Sequence, residues 1–206
     1  SYVKWIFSVG VVLAIFSLSY FYGLLPGSDS HSFRGLNEYL TKTGNLDPLV
    51  SNHGYFQWPS FFILSKVATS VSALELADFE FLMYAIIGFL LTTALYVYAS
   101  RTCKNGGFIA VAIFFISVFY FLNYQFVPFS LALGLLFVLL MLEARENSLS
   151  VILTILILFT CLSLTHSFVP LFFVLYLLAR YLLKGGRQYV NLLLATSVIF
   201  LTVQIT

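Results

Sequence analysis

Asp29 and His31 are the residues whose types and spacing most directly suggest chemistry. They stand two apart in the turn-forming stretch Pro26-Gly27-Ser28-Asp29-Ser30-His31. A carboxylate there can take a proton as a general base, or share a divalent metal ion with the neighbouring imidazole. His166 follows Thr165 where two apolar runs meet. A histidine between such runs is costly unless paired, which makes it a candidate functional group, although one at a hairpin tip can simply face water. His53 lies in Asn52-His53-Gly54-Tyr55-Phe56-Gln57-Trp58-Pro59. Tyr55 and Trp58 suit interfacial anchors better than ligand contacts, and His53 alone suits a solvated loop. Cys103 and Cys161 have no metal or redox spacing.

The elements that hold these groups are apolar. Of 206 residues 61% are hydrophobic and 9% charged, with a mean hydropathy of +0.99. A soluble domain carries about 25% charged residues, so lipid is the expected solvent. A net charge of +2, with no basic stripe or arm, gives no reason to expect a nucleic-acid partner. Charge-free or nearly charge-free runs occupy 5–28, 81–100, 107–125, 127–142, 149–166, 167–179 and 189–206. Roughly 20 residues cross the hydrocarbon as a helix, and backbone groups in lipid must be bonded internally. None of the runs alternates polar with apolar residues, which argues against strands. The first run is preceded by Lys4 but is too long for a signal peptide and lacks a small-residue cleavage site. It reads as a retained helix.

Residues 60–74 decide the topology. They are apolar enough to cross, yet carry Lys66 in their middle and begin just after Pro59. If they do not cross, Lys4, Arg101, Lys104, Arg145, Arg180, Lys184 and Arg187 share the cytoplasmic side. Only Arg34, Lys42 and Lys66 then lie outside, as the positive-inside rule requires. Residues 60–74 are therefore expected as a re-entrant or interfacial helix. The expected fold is an all-α integral membrane domain of about seven transmembrane helices, multi-pass, with a cytoplasmic N-terminus. The first large loop, 26–80, is then extracytoplasmic. All three histidines fall at that outer face, with Asp29, Glu38, Asp47, Glu75, Asp78 and Glu80.

Within that loop, 32–43 reads as an amphipathic surface helix. Phe33, Leu36 and Leu40 share one face, Arg34, Glu38 and Lys42 repeat on another, and Gly44 suits the residue that ends it. Such a helix is expected to lie on the bilayer, apolar face down.

An aspartate just after the first helix, an amphipathic stretch, and a Tyr-x-x-x-Pro entry to a half-buried helix together resemble the GT-C class of glycosyltransferases. These are polytopic membrane enzymes that use polyprenyl-phosphate-linked sugars, among them protein mannosyltransferase-like and aminoarabinose transferase-like enzymes. Pro26–His31, Tyr55–Pro59 and Leu164–His166 carry the resemblance. It covers the class's seven-helix module, so that 1–206 is expected to be a single transmembrane domain, the N-terminal module of a larger protein. The resemblance implies that Asp29 is the catalytic base and that a lipid-linked sugar donor is a partner beside the membrane lipids. His31 and His166 are carried over only as metal- or phosphate-contact candidates, with Arg34, His53, Tyr55 and Lys66 as further substrate-binding candidates. Asp29 has no Asp-x-Asp partner, a departure from a common metal-binding pattern. The alternative reading is a non-catalytic subunit that packs against other membrane subunits, for which the 23 Phe residues and the glycines of the runs are suited.

Overall fold

The computed structural model of the chain describes residues 2–21, 28–47, 58–101, 105–117, 128–144 and 148–205, with the side chains of 12, 15–21, 28–31 and 114–117 outside that description. Among the described residues the chain is all-helical and has no strand. Its helices are α1 (Tyr2–Phe21), α2 (Ser28–Thr43), α3 (Ser60–Ser72), α4 (Leu76–Ser100) and α5 (Gly106–Ser117). They continue as α6 (Pro128–Glu143), α7 (Leu149–Ser163), α8 (Val169–Lys184) and α9 (Arg187–Ile205).

Local signals place the helix ends. Ser148 caps α7, its side chain accepting the Val151 N–H at 3.3 Å. Pro128 opens α6, where a missing N–H costs nothing. Gly44 ends α2 at φ +70, its N–H donated to the Leu40 carbonyl at 2.8 Å. Gly185 and Gly186, at φ +65 and +106, make the tight connection from α8 to α9.

The long helices alternate in direction between two ends. At one end, Lys4 in the first turn of α1 reaches Asn105 Oδ1, just before α5, at 2.9 Å. Arg101, just after α4, donates to the Met141 carbonyl near the end of α6 at 3.4 Å. Glu143, the last residue of α6, pairs with Arg180 of α8. At the other end, the Ser60 N–H that begins α3 is donated to the Leu164 carbonyl between α7 and α8 at 3.2 Å. The Phe129 ring of α6 lies against His166 there.

Helix α6 is the hub. Its residues flank a cluster built on Phe33, Leu40, Phe61, Phe62, Phe79, Ile87 and Leu91 from α2, α3 and α4. They also belong to a second cluster with Ile155, Phe159 and Leu162 of α7 and Val169, Phe173 and Leu177 of α8. The helices around α6 are apolar on their outward faces too. Leu82, Ile86, Phe89 and Leu90 of α4 are exposed, as are Leu149, Leu153 and Ile157 of α7 and Leu194, Val198, Leu201 and Ile205 of α9. These positions repeat at three- and four-residue intervals, so each set forms a stripe.

Two helices, Leu76–Ser100 and Arg187–Ile205, are long and apolar enough to cross a membrane among the described residues. At 1.5 Å per residue, the 25 residues of α4 extend about 37 Å, more than the roughly 30 Å of hydrocarbon. Helices α6, α7 and α8 have 16, 15 and 16 residues, short of the roughly 20 of a perpendicular crossing. Helix α3, with 13, is the segment expected not to cross.

Small residues allow α5 to meet α4. A Cβ on Gly107 would stand 2.1 Å from Ser100 Oγ and 2.6 Å from the Tyr96 carbonyl oxygen. The hydroxyl can rotate away, but the backbone carbonyl cannot. Gly107→Ala is therefore expected to destabilise the bundle by about 1–3 kcal/mol, the usual range for overpacking. Thermal unfolding in detergent reads this as a lowered midpoint, and an unchanged midpoint would contradict the close approach.

Candidate functional site

The platform at one end of the bundle is built on α2. The helix begins at Ser28, four residues before the expected start, so Asp29 and His31 lie in its first turn rather than in a turn before it. An acid there is favoured by the positive end of the helix dipole. The metal reading of Asp29 and His31 concerns side chains that lie outside the described residues. Among the described residues no three His, Cys, Asp or Glu come together as a metal-binding group.

The buried stripe of α2 is Phe33, Asn37 and Leu40, at spacings of four and three. Phe33 meets the Phe61 and Phe62 rings of α3 at 6.3 and 6.1 Å between centroids. The apolar face expected to lie on the bilayer is thus covered by α3. The pattern of α2 says which face is buried but not by what, and α3 supplies two phenylalanines in register.

The polar face of α2 ties it to α4. Arg34 Nε lies 3.3 Å from Glu38 Oε1 and 3.7 Å from Glu80 Oε2. Glu80 is fully buried and Asn37 is 1% exposed. Neither carboxylate oxygen of Glu80 and neither amide atom of Asn37 has a hydrogen-bond partner among the described residues. Neither residue was among the sequence candidates. Asn37 was detectable as the polar residue on an otherwise apolar stripe. Glu80 is one of several acids around the start of α4, and nothing in its spacing separates it from Asp78.

Lys66 of α3 donates to the Leu40 carbonyl at 3.1 Å, the same oxygen that accepts the Gly44 N–H. It caps the C-terminus of α2, where a cation also offsets the negative end of the dipole. His166 holds the α7–α8 turn: its Nδ1 accepts the Phe168 N–H at 3.1 Å, and its ring meets Phe129 edge-on at 5.4 Å. An accepting Nδ1 means the proton of the neutral ring is on Nε2. Burial draws water from the ring and lowers its pKa below the ordinary histidine value.

Helix α3, which follows Pro59, is linked to the α7–α8 connection by the Ser60–Leu164 hydrogen bond. Helix α2 in turn packs on α3. Arg34 and Lys66 lie on this platform. His53 and Tyr55 lie outside the described residues, as do the side chains of Asp29 and His31.

A second polar cluster, at the opposite end, was also not among the sequence candidates. Glu143, 6% exposed, accepts from the Tyr176 hydroxyl at 2.5 Å and from Arg180 at 3.2 Å. Arg180 also donates to the Tyr189 hydroxyl at 3.2 Å and lies over the rings of Tyr176 and Tyr189. It joins the ends of α6 and α8 to the start of α9. The readable signal was Tyr176 and Arg180 four apart on one helix, but their partner is 33 residues away from the nearer of them.

Among the described residues the fold is thus an all-helical bundle with two helices long and apolar enough to cross a membrane and a polar platform at one end. No family model, curated protein or solved structure matches the chain.

The His166 cap gives a pH dependence with a definite sign. Its folded-state pKa is below its unfolded value, so its contribution is fully present above pH ~6.5 and is lost as pH falls through the folded-state value. His166→Ala removes the acceptor at any pH. The stability gap between the chain and His166→Ala is expected to narrow between about pH 7.5 and about pH 5. Unfolding midpoints at the two pH values measure it, and an equal gap at both would contradict the cap.

Proposed function

We propose that the chain is a multi-pass membrane domain in which α1 and α4–α9 make seven crossings and α2 and α3 form an extracytoplasmic platform. We further read it as the N-terminal module of a GT-C-type glycosyltransferase acting on a polyprenyl-phosphate-linked sugar. The membrane reading is supported by exposed apolar stripes on α4, α7 and α9, those of α4 and α7 lying opposite a buried apolar face. A soluble monomer rarely exposes more than a few hundred Å² of contiguous apolar surface. The observation that supports the enzyme reading is that α2, which begins at Ser28, packs on α3, while the Ser60 N–H that begins α3 is donated to the Leu164 carbonyl.

In this reading the donor enters from the outer leaflet with its phosphate at platform height. The acceptor hydroxyl oxygen attacks the anomeric carbon while Asp29 takes its proton. A bond from the anomeric carbon to the acceptor oxygen forms, and the bond to the phosphate oxygen breaks. The electron pair leaves with polyprenyl phosphate. Arg34 and Lys66 are the nearest named cations for that charge. Each would exchange an internal partner for it, Arg34 its carboxylates and Lys66 the α2 carbonyl.

A second reading, a non-catalytic subunit of a larger membrane complex, draws on the same facts. Arg34, Lys66 and His166 all hold helices of this chain together. Asp29→Asn separates the two. In membranes containing the full chain and a labelled polyprenyl-phosphate sugar, the enzyme reading predicts a loss of transfer of about 10²-fold or more, the typical scale of general-base assistance. Insertion and unfolding midpoint should be unchanged. Undiminished transfer would remove Asp29 as the base, and intact assembly with no transfer by either chain would favour the subunit.

A further inference from the structure

Glu80 and Asn37 together leave four polar atoms buried and unpartnered among the described residues, at the contact of α2 with the start of α4. A buried polar group left unpaired costs about 1–3 kcal/mol, and an uncompensated charge more. Asn37 lies three residues after Arg34, on the same side of α2, and Arg34 Nε is 3.7 Å from Glu80 Oε2. The cation beside them, Arg34, is shared: its Nε lies closer to Glu38, whose side chain is 44% exposed, than to the buried Glu80. Lys66, the cation on α3, is engaged on the Leu40 carbonyl. On α4 itself, Asp78 is two residues away and so on a different face. Helix α6 contributes only apolar residues to this cluster. An ionised Glu80 would thus be a fully buried charge whose cation is partly exposed and shared with Glu38.

One added proton resolves both problems. A carboxylic acid and a primary amide are complementary: the acid O–H donates to the amide oxygen while the amide N–H donates to the acid carbonyl. That ring would give Oε1 and Oε2 of Glu80 and Oδ1 and Nδ2 of Asn37 a partner each. With an ionised carboxylate, Asn37 Oδ1 has no donor to accept from.

We propose that Glu80 and Asn37 form a proton-binding site, in which a proton on the Glu80 carboxyl closes a two-hydrogen-bond ring with the Asn37 amide and latches α2 onto α4. Because α2 carries Asp29 in its first turn, the latch makes the seating of the platform respond to pH: it holds when Glu80 is protonated and loosens as pH rises and Glu80 ionises. The inference stands on burial and pairing and does not depend on the glycosyltransferase reading.

The test is infrared spectroscopy of the full chain in nanodiscs, with hydrogen exchange of α2 followed over the same pH range. At neutral pH the carbonyl stretch of a protonated carboxylic acid should be present, survive Glu38→Gln, and vanish in Glu80→Gln. Raising the pH should abolish the band and lower the protection of α2 amides by roughly tenfold, the scale of a net hydrogen-bonded contact. Glu80→Gln, a neutral isostere able to pair with Asn37, should keep that protection at every pH. Carboxylate bands alone at neutral pH would mean an ionised Glu80 held by water or a cation, and would overturn the proposal. So would a band that survives Glu80→Gln, the same pH response in both chains, or failure of Glu80→Gln to fold.

Discussion

Much of this structure depends on one constraint: the helices around α6 are apolar on both their buried and outward faces, so charge can be accommodated only near their ends. Helix α4 shows it most clearly. Its charges, Asp78 and Glu80, lie in its first turns, and Arg101 follows its last. Between them the helix presents Ile87 and Leu91 inward and Ile86 and Leu90 outward. The polar interactions that remain available are those that finish helices, and each end uses them differently. Ser148, Lys66, Gly44 and His166 all satisfy backbone groups that a helix leaves open.

The two ends of the bundle are correspondingly unlike. One is closed by a compact cluster in which Glu143 receives a tyrosine and an arginine and sits 97% out of reach of solvent by its side chain. Removing one partner of such a pair leaves an uncompensated buried charge, which makes the cluster a device for fixing how α6, α8 and α9 meet. The other end carries a separate layer, α2 and α3, packed through phenylalanines. Its polar groups are incompletely paired, with Glu80 and Asn37 at the centre. A cluster closed by an ion pair and a tyrosine at one end, and a fully buried acid whose cation is shared at the other, fit a division between scaffold and working surface.

Much of the helical layout was legible from composition alone. The run expected at 149–166 is realised as α7, Leu149–Ser163, and that at 189–206 as α9, Arg187–Ile205. Apolar runs bounded by charges and by Gly or Pro leave few alternatives. The stop of α2 at Gly44 was legible for the same local reason. Its start was not, because Ser28-Asp29-Ser30 reads equally as a turn and as the first turn of a helix. Long-range partners were the least legible. The periodicity of α2 marked Phe33 and Leu40 as a buried face without naming α3 as the cover. Glu80 was counted only as one of the acids of the outer face, while its pairing depends on Arg34 of α2, 46 residues away. The roles first sought in Lys66 and His166 illustrate the same limit: each is a polar residue among apolar ones, and each finds a backbone group to bond.

The central claim is that α2 and α3 cap the extracytoplasmic end while the α8–α9 turn lies in the cytoplasm. It is tested most directly by labelling single cysteines with a membrane-impermeant reagent in intact cells, after Cys103 and Cys161 are replaced by Ser. Thr43→Cys, exposed at the end of α2, should be labelled without permeabilisation. Gln188→Cys, exposed at the start of α9, should be labelled only after it. Labelling of both from the same side would mean that α3 crosses the membrane after all, and would contradict the account.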